Sequence, residues 1–180
     1  MLKRLFRPHP SHEVGRTLYA AVVDQSRLPP LYERLAAPDT VEGRFELYTL
    51  HVVLLLDRLN APEPDAPEPA AKAAAQALFD TYVKALDHAL REMGVGDLSV
   101  GKKMRKLGEA FFGRVKSYHA AFAALPEPGA LRDLLARTVY AEADAAQAPA
   151  LADYVVAQRA HLAAQPLDGF LQGHVDWSAP

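Results

Sequence analysis

The chain has 180 residues, of which 50% are hydrophobic and 23% charged, a balance typical of one globular domain and not of a disordered chain. The formal net charge of −2 excludes a generally basic protein that coats nucleic acid. The sequence has no Cys, which excludes disulfides, thiolate metal sites and a catalytic thiol.

The hydrophobic pattern predicts an all-α chain, folded as a single-domain bundle of about six helices. Alanine, the strongest helix former, accounts for 33 residues, and β-branched residues are sparse. The predicted helical segments are residues 11–25, a short turn at 31–35, then 41–59, 70–93, 99–125, 130–140 and 150–164.

The segment 41–59 is expected to be the buried centre of the bundle, because its apolar residues surround the helix axis. Asp39 or Thr40 can cap its N-terminus. A buried strand over residues 52–56 is the competing interpretation. His51 lies within this apolar segment, and we interpret it as a hydrogen-bonded core residue and not as a metal ligand.

Three stretches flank or interrupt the helical domain, which we place at residues 11–165. Residues 1–10 form a basic N-terminal tail, and residues 60–69 form a Pro-rich acidic loop. Residues 166–180 form a C-terminal tail, in which Leu167, Phe170 and Trp177 are expected to contact the helices. No segment resembles a secretory signal or approaches the ~20 apolar residues of a transmembrane helix, so we expect a soluble protein.

The segment 99–125 is strongly amphipathic, and its polar face is basic. Residues 98–119 carry six Lys or Arg and one acid, a local charge of +5. Such a face can bind phosphates or an acidic protein, although a merely solvated face is the alternative. The aromatic residues lie on the apolar side, which argues against sequence-specific binding of nucleic acid. The cations of the face are Lys102, Lys103, Arg105, Lys106 and Lys116.

Motifs that carry catalysis or bind a cofactor are incomplete in this chain. Residues 96–103 match a nucleotide P-loop except that Lys103 replaces the Ser or Thr that would bind Mg²⁺, and the preceding segment is helical. Ser99 and Lys102 match a Ser-x-x-Lys pair, but its companion motifs are absent. No Glu-x-x-His is present for a di-iron site. We therefore expect no cofactor, no bound metal and no catalytic residue.

Three stretches together resemble the ubiquinol–cytochrome c chaperone family. They are residues 38–40 (PDT), 43–51 (GRFELYTLH) and 90–104 (LREMGVGDLSVGKKM), and the resemblance covers residues 11–140. It implies a non-enzymatic assembly chaperone for ubiquinol–cytochrome c reductase (complex III), which binds newly made cytochrome b or an assembly intermediate. The short, weakly apolar start and the Ala-rich composition are similar to a bacterial member, so we expect a cytoplasmic protein, with a peripheral position at the inner membrane as the alternative.

Two other hypotheses remain open from the sequence. A generic helical adaptor could dock on the ribosome or on an anionic membrane through its basic face, without a cytochrome client. An enzyme built on a helical bundle is the third hypothesis, and it predicts a polar pocket or a bound cofactor. The candidate residues for binding a partner or client are Arg44, Arg91, Lys102, Lys103, Arg105, Lys106 and Lys116.

Overall fold

The computed structural model describes residues 10–62, 68–141 and 143–180, and within these ranges every regular element is a helix. Six helices have eight or more residues, and two have five. The all-α prediction is confirmed. The helices are α1 Pro10–Ser26, α2 Pro29–Glu33, α3 Val41–Leu59, α4 Glu68–Glu92, α5 Asp97–Ala123, α6 Gly129–Ala136, α7 Ala148–Ala163 and α8 Leu167–Leu171, with a 3-10 turn at Ala145–Gln147.

Helix α3 is the centre of the bundle, and it begins and ends at the predicted residues. Thr40 caps it, since its Oγ1 accepts a hydrogen bond of 3.0 Å from the Gly43 N–H. The run from Leu50 to Leu55 is buried without interruption, so every side of this part of the helix faces protein. Helices α1, α4, α5 and α7 all pack against α3. The strand interpretation of residues 52–56 is wrong.

The remaining helices form a layer around α3. Helix α1 packs along α4 and α3, and α6 packs between α5 and α7. The short α8 contacts α1 and α4. Phe170 of α8 is fully buried, Leu167 is nearly so, and Trp177 packs against the core from the following segment. These three residues therefore make the contacts expected of them.

Outside α3, the helix boundaries differ from the prediction by one to four residues. Helix α4 begins at Glu68 and includes Pro69, because a proline in the first turn removes no intrahelical hydrogen bond. Helix α5 begins at Asp97, two residues early, with Gly96 as N-cap and no capping side chain. Helix α6 ends at Ala136, four residues early, and hydrogen-bonded turns continue the chain to Tyr140.

Parts of two predicted segments lie outside the described residues. These are residues 1–9 of the basic tail and residues 63–67 of the Pro-rich loop. Asn60, Ala61 and Pro62 form the described start of that loop, directly after α3. Among the described helices, none is long and apolar enough to cross a membrane.

Candidate functional site

The tip of the α4–α5 hairpin has a defined geometry that residues 90–104 specify. Gly94 adopts φ +80°, a conformation that favours glycine, and it ends α4. The Val95 N–H donates to the Leu90 carbonyl at 3.0 Å, and the Gly94 N–H to the Arg91 carbonyl at 2.9 Å. These two hydrogen bonds form a Schellman motif, so Gly94 is the C′ residue.

Arg91 connects the two helices of the hairpin. Its Nε donates to Asp87 Oδ2 at 2.8 Å, and its Nη1 donates to Asp97 Oδ1 at the start of α5. Both carboxylates favour the charged guanidinium and raise the pKa of Arg91. This candidate residue therefore has partners in its own chain, and its side chain helps to fix the angle between α4 and α5.

The five predicted cations of α5 are all exposed. In the part of the chain that the structure describes, none of them forms an ion pair, whereas Arg114 on the same helix does. Arg114 donates three hydrogen bonds, of 2.7, 2.8 and 3.2 Å, to the Glu46 carboxylate of α3 and so joins α5 to the core. The exposed set is Lys102, Lys103, Arg105, Lys106 and Lys116; we call it the basic face.

Large apolar side chains are exposed beside the basic face. Leu98 is 102% exposed, Phe112 62% and Met93 57%. Neither Leu98 nor Phe112 is predicted to be functional from the sequence, and the prediction that the aromatic residues of α5 lie on its apolar side is wrong for Phe112. A signal for them was present, because both lie off the buried stripe of α5 and, with Arg105 between them, repeat every seven residues.

A partly open apolar seam runs between α4 and α5. The Phe112 ring lies 5.7 Å from the Phe79 ring of α4 and 5.7 Å from the Phe111 ring, measured between centroids. Phe111 itself is buried, 5.1 Å from the Tyr82 ring. The half-buried residues that extend this seam along the two helices are Phe79, Val83 and Leu86 of α4 and Met104 and Leu107 of α5.

Arg44 lies on a different element, at the start of α3. Its Nε donates to Asp39, and its guanidinium lies 5.9 Å from the centroid of the Tyr32 ring. The hydrogen bond from Arg44 lowers the pKa of Asp39. A Cβ on Gly43 would lie 2.1 Å from the Pro38 carbonyl oxygen, so the chain approaches the helix closely here. Residues 38–40 and 43–51 are the first two of the three stretches that resemble the chaperone family, and they therefore contact each other.

His51 is hydrogen-bonded in the core, as the sequence predicts. Its Nδ1–H donates to the Leu47 carbonyl at 2.7 Å, and its Nε2 accepts from the Tyr154 hydroxyl at 2.8 Å. Burial disfavours the charged ring and lowers the pKa of His51 to about 4. In the described residues, no group of three or more His, Asp or Glu is placed to hold a metal ion.

The comparisons with known proteins agree on one family. The sequence profile of the ubiquinol-cytochrome C chaperone family matches residues 33–177. The crystal structure of the Cbp3 homolog from Brucella abortus is similar, with a TM-score of 0.83 and 32% sequence identity over 99% of this chain and 97% of that chain. None of the curated proteins matches this sequence. The chain thus belongs to the ubiquinol-cytochrome c chaperone family.

Proposed function

We propose that this protein is an assembly chaperone for ubiquinol–cytochrome c reductase (complex III), which acts by binding newly made cytochrome b or an assembly intermediate and not by catalysis. Family membership supports the role in complex III assembly. The observation that best supports a mechanism by binding is the exposed ring of Phe112 on the apolar seam.

The seam has the chemistry that a membrane-protein client requires. A newly made membrane protein presents apolar helices, and such helices bind in apolar grooves between the helices of a partner. Phe79 and Phe112 lie in contact on the two sides of the seam, so an incoming helix would meet an aromatic surface. Aromatic side chains contribute much of the binding energy in protein interfaces.

We assign different roles to the seven candidate residues. Arg44 and Arg91 have carboxylate partners within the chain, so we propose that they hold α3 and the hairpin in shape. The unpaired cations of the basic face are the proposed contacts with a second partner, which is the anionic surface described below.

A deletion strain tests the role in complex III assembly. We expect difference spectra of its membranes to lose the reduced b- and c-type haem signal of complex III, while the signals of other oxidases remain. The wild-type gene should restore the signal. Unchanged haem and normal ubiquinol–cytochrome c activity would refute the proposal.

Two matched variants test the seam. Phe112 and Val41 have nearly equal exposure, 62% and 63%, but Val41 lies at the start of α3, outside the seam. Phe112→Asp should fail to restore complex III haem in the deletion strain, whereas Val41→Asp should restore it. Equal restoration by the two variants would show that the seam is not the client site.

Photo-crosslinking tests the identity of the client. A photoreactive amino acid at position 112 should crosslink to pulse-labelled cytochrome b, and the same group at position 41 should not. Crosslinks from position 112 to ribosomal proteins, with none to cytochrome b, would favour the generic adaptor over the chaperone.

A further inference from the structure

The solvent-facing side of α5 mixes cations with exposed apolar residues. Positions 98, 102, 105, 109, 112 and 116 are separated by steps of four and three, so they share one face of the helix. The face starts with Leu98 at the hairpin tip and carries one acid, Glu109, among its cations. It extends for about 27 Å along the helix axis.

The tip of this face is where apolar and basic groups lie closest together. Leu98 is fully exposed, and Met93 is exposed across the turn. Lys102, Lys103 and Lys106 follow within the next two turns of α5. A single exposed Leu is common on protein surfaces. At the tip, however, an exposed Leu and an exposed Met lie beside several cations. This composition is typical of segments that bind membrane interfaces.

The acids near the tip offset only part of this charge. Asp87 and Asp97 share Arg91, which neutralises one of them, and Glu92 lies 3.2 Å from His88, which is charged only when protonated. These three acids and Arg91 sum to −2, against +4 from Lys102, Lys103, Arg105 and Lys106. The cations that follow Leu98 have no acidic partner among the described residues, so a net positive charge faces an external anion.

We propose that the hairpin tip docks on an anionic lipid bilayer, with Leu98 and Met93 entering the headgroup region and the lysines of α5 contacting lipid phosphates. Each Lys or Arg near an anionic bilayer contributes to binding, and buried apolar side chains add to it. RNA fits this surface less well. Single-stranded nucleic acid stacks its bases on exposed aromatic rings among cations; the tip exposes Leu98 and Met93 instead, and Phe112, the exposed ring beside Lys116 on this face, lies about 21 Å along the axis from Leu98.

A membrane-protein client is also a poor complement for these cations. The cytoplasmic loops of membrane proteins carry an excess of Lys and Arg, which the basic face would repel. The proposed contact with the bilayer is therefore separate from the binding of a client. It would hold the seam, which begins next to the tip, close to the membrane into which a client inserts.

Flotation with lipid vesicles tests the proposal with the full-length protein and no client. The wild-type chain should float with vesicles that contain one-third phosphatidylglycerol at low salt, and not with pure phosphatidylcholine vesicles. Leu98→Gln should weaken binding about tenfold, through loss of one buried apolar side chain. Lys102→Glu combined with Lys106→Glu should weaken it at least tenfold, because two attractive charges become repulsive.

Two control variants match these changes elsewhere on the surface. Val41→Gln removes an exposed apolar side chain, and Arg16→Glu with Arg137→Glu reverses two exposed charges. Both should bind vesicles like the wild type.

Three outcomes would overturn the proposal. The first is no binding of the wild-type chain to anionic vesicles, and the second is binding that survives both hairpin variants and so resides elsewhere on the chain. The third is binding to mixed-sequence RNA but not to vesicles at the same salt. Since the assay contains no cytochrome b, each of these results leaves the chaperone proposal standing.

Discussion

At the scale of single residues, His51 shows how a polar side chain is accommodated in the most buried helix. Both ring nitrogens have partners, and the Tyr154 hydroxyl that donates to Nε2 accepts in turn from the Gln25 amide at 2.9 Å. The Gln25 amide also donates to the Ser178 carbonyl. One neutral imidazole thus begins a chain of hydrogen bonds that connects α3, α7, α1 and the C-terminal segment.

The neutral state of His51 makes stability depend on pH. Burial lowers its folded pKa from 6.5 to about 4, so between these values the unfolded chain binds more protons than the folded chain. The free energy of unfolding therefore falls as pH falls through this window, by about 2 kcal/mol from this residue between pH 7 and pH 5. Urea unfolding at both pH values should show a smaller fall for His51→Gln than for the wild type.

His119 provides the control for this prediction, because it is an exposed histidine on α5. His119→Gln should keep the wild-type dependence on pH. If His51→Gln also keeps it, His51 is not the group that couples unfolding to protonation.

Phe111 and Phe112 are adjacent in sequence and opposite in environment. Phe111 is 2% exposed and packs between the Phe79 and Tyr82 rings, whereas Phe112 is 62% exposed. Phe111→Ala should lower the free energy of unfolding by about 3–5 kcal/mol, because it leaves a cavity in the core. Phe112→Ala should lower it by less than about 1 kcal/mol. Urea denaturation of both variants measures the contrast, and equal losses would contradict these burial assignments.

At the scale of helices, the contact between α1 and α4 depends on a glycine. A Cβ on Gly15 would lie 2.5 Å from the carbonyl carbon and oxygen of Ala77 and 2.8 Å from its Cβ. No real Cβ tolerates these distances, so a larger residue must displace one helix. The close contact between the two helices therefore requires glycine at position 15.

A pair of Gly→Ala substitutions should give effects of opposite sign. Gly15→Ala should destabilise the fold by about 1–3 kcal/mol, because α1 must shift away from α4. Gly108→Ala in α5 should stabilise it by up to about 1 kcal/mol, because nothing lies within 4 Å of the added Cβ and alanine favours helix. Thermal unfolding of both variants is the measurement. Stabilisation by both would mean that α1 and α4 are not in this close contact.

The helices also show which features local sequence signals can predict. Both ends of α3 are predictable, because the cap at Thr40 and the continuous apolar character are local. The start of α4 is two residues earlier than predicted, because the Pro-rich composition of residues 60–69 indicates a loop although a proline is tolerated in the first turn of a helix. The start of α5 was missed because Gly96 caps it without a side-chain hydrogen bond.

Contacts between distant positions could not be predicted from one sequence. Glu46 and Arg114 are 68 positions apart, so no local pattern indicates that they form an ion pair. The basic face, in contrast, was predictable from its spacing, and its five cations are exposed as expected. The spacing of Leu98 and Phe112 also gave a signal, because both lie off the buried stripe of α5, but their exposure follows from the structure alone.

At the scale of the whole molecule, the C-terminal segment closes the bundle by polar contacts. The Gln158 amide donates to the Ser178 carbonyl at 2.6 Å and to its hydroxyl at 2.7 Å, and the Ser178 N–H donates back to Gln158 at 3.3 Å. Arg34 donates to the Pro180 carbonyl at 3.1 Å. The segment after α8 is thus held against α7 and the chain that follows α2.

Charge is unevenly distributed over the molecule, and this asymmetry predicts how it associates in the cell. Residues 98–119 carry +5, whereas residues 120–180 carry three Arg and seven acids, or −4. A protein with nearly zero net charge can therefore still present a positive surface to an anionic partner. Reversal of Lys102, Lys103 and Lys106 to Glu should release the protein from the membrane fraction of a low-salt lysate. Far-UV circular dichroism should not change, because all three side chains are exposed and unpaired.

The control for this triple reversal carries the same total charge. Arg16→Glu, Lys84→Glu and Arg137→Glu also change three exposed cations to acids, but on α1, on α4 and after α6. If the association depends on the position of the cations, the control should remain bound where the basic-face variant is released. Raising the salt concentration should release the wild type and the control together, since exposed charges are screened. Association that survives the basic-face reversal at low salt would assign partner binding to another part of the chain.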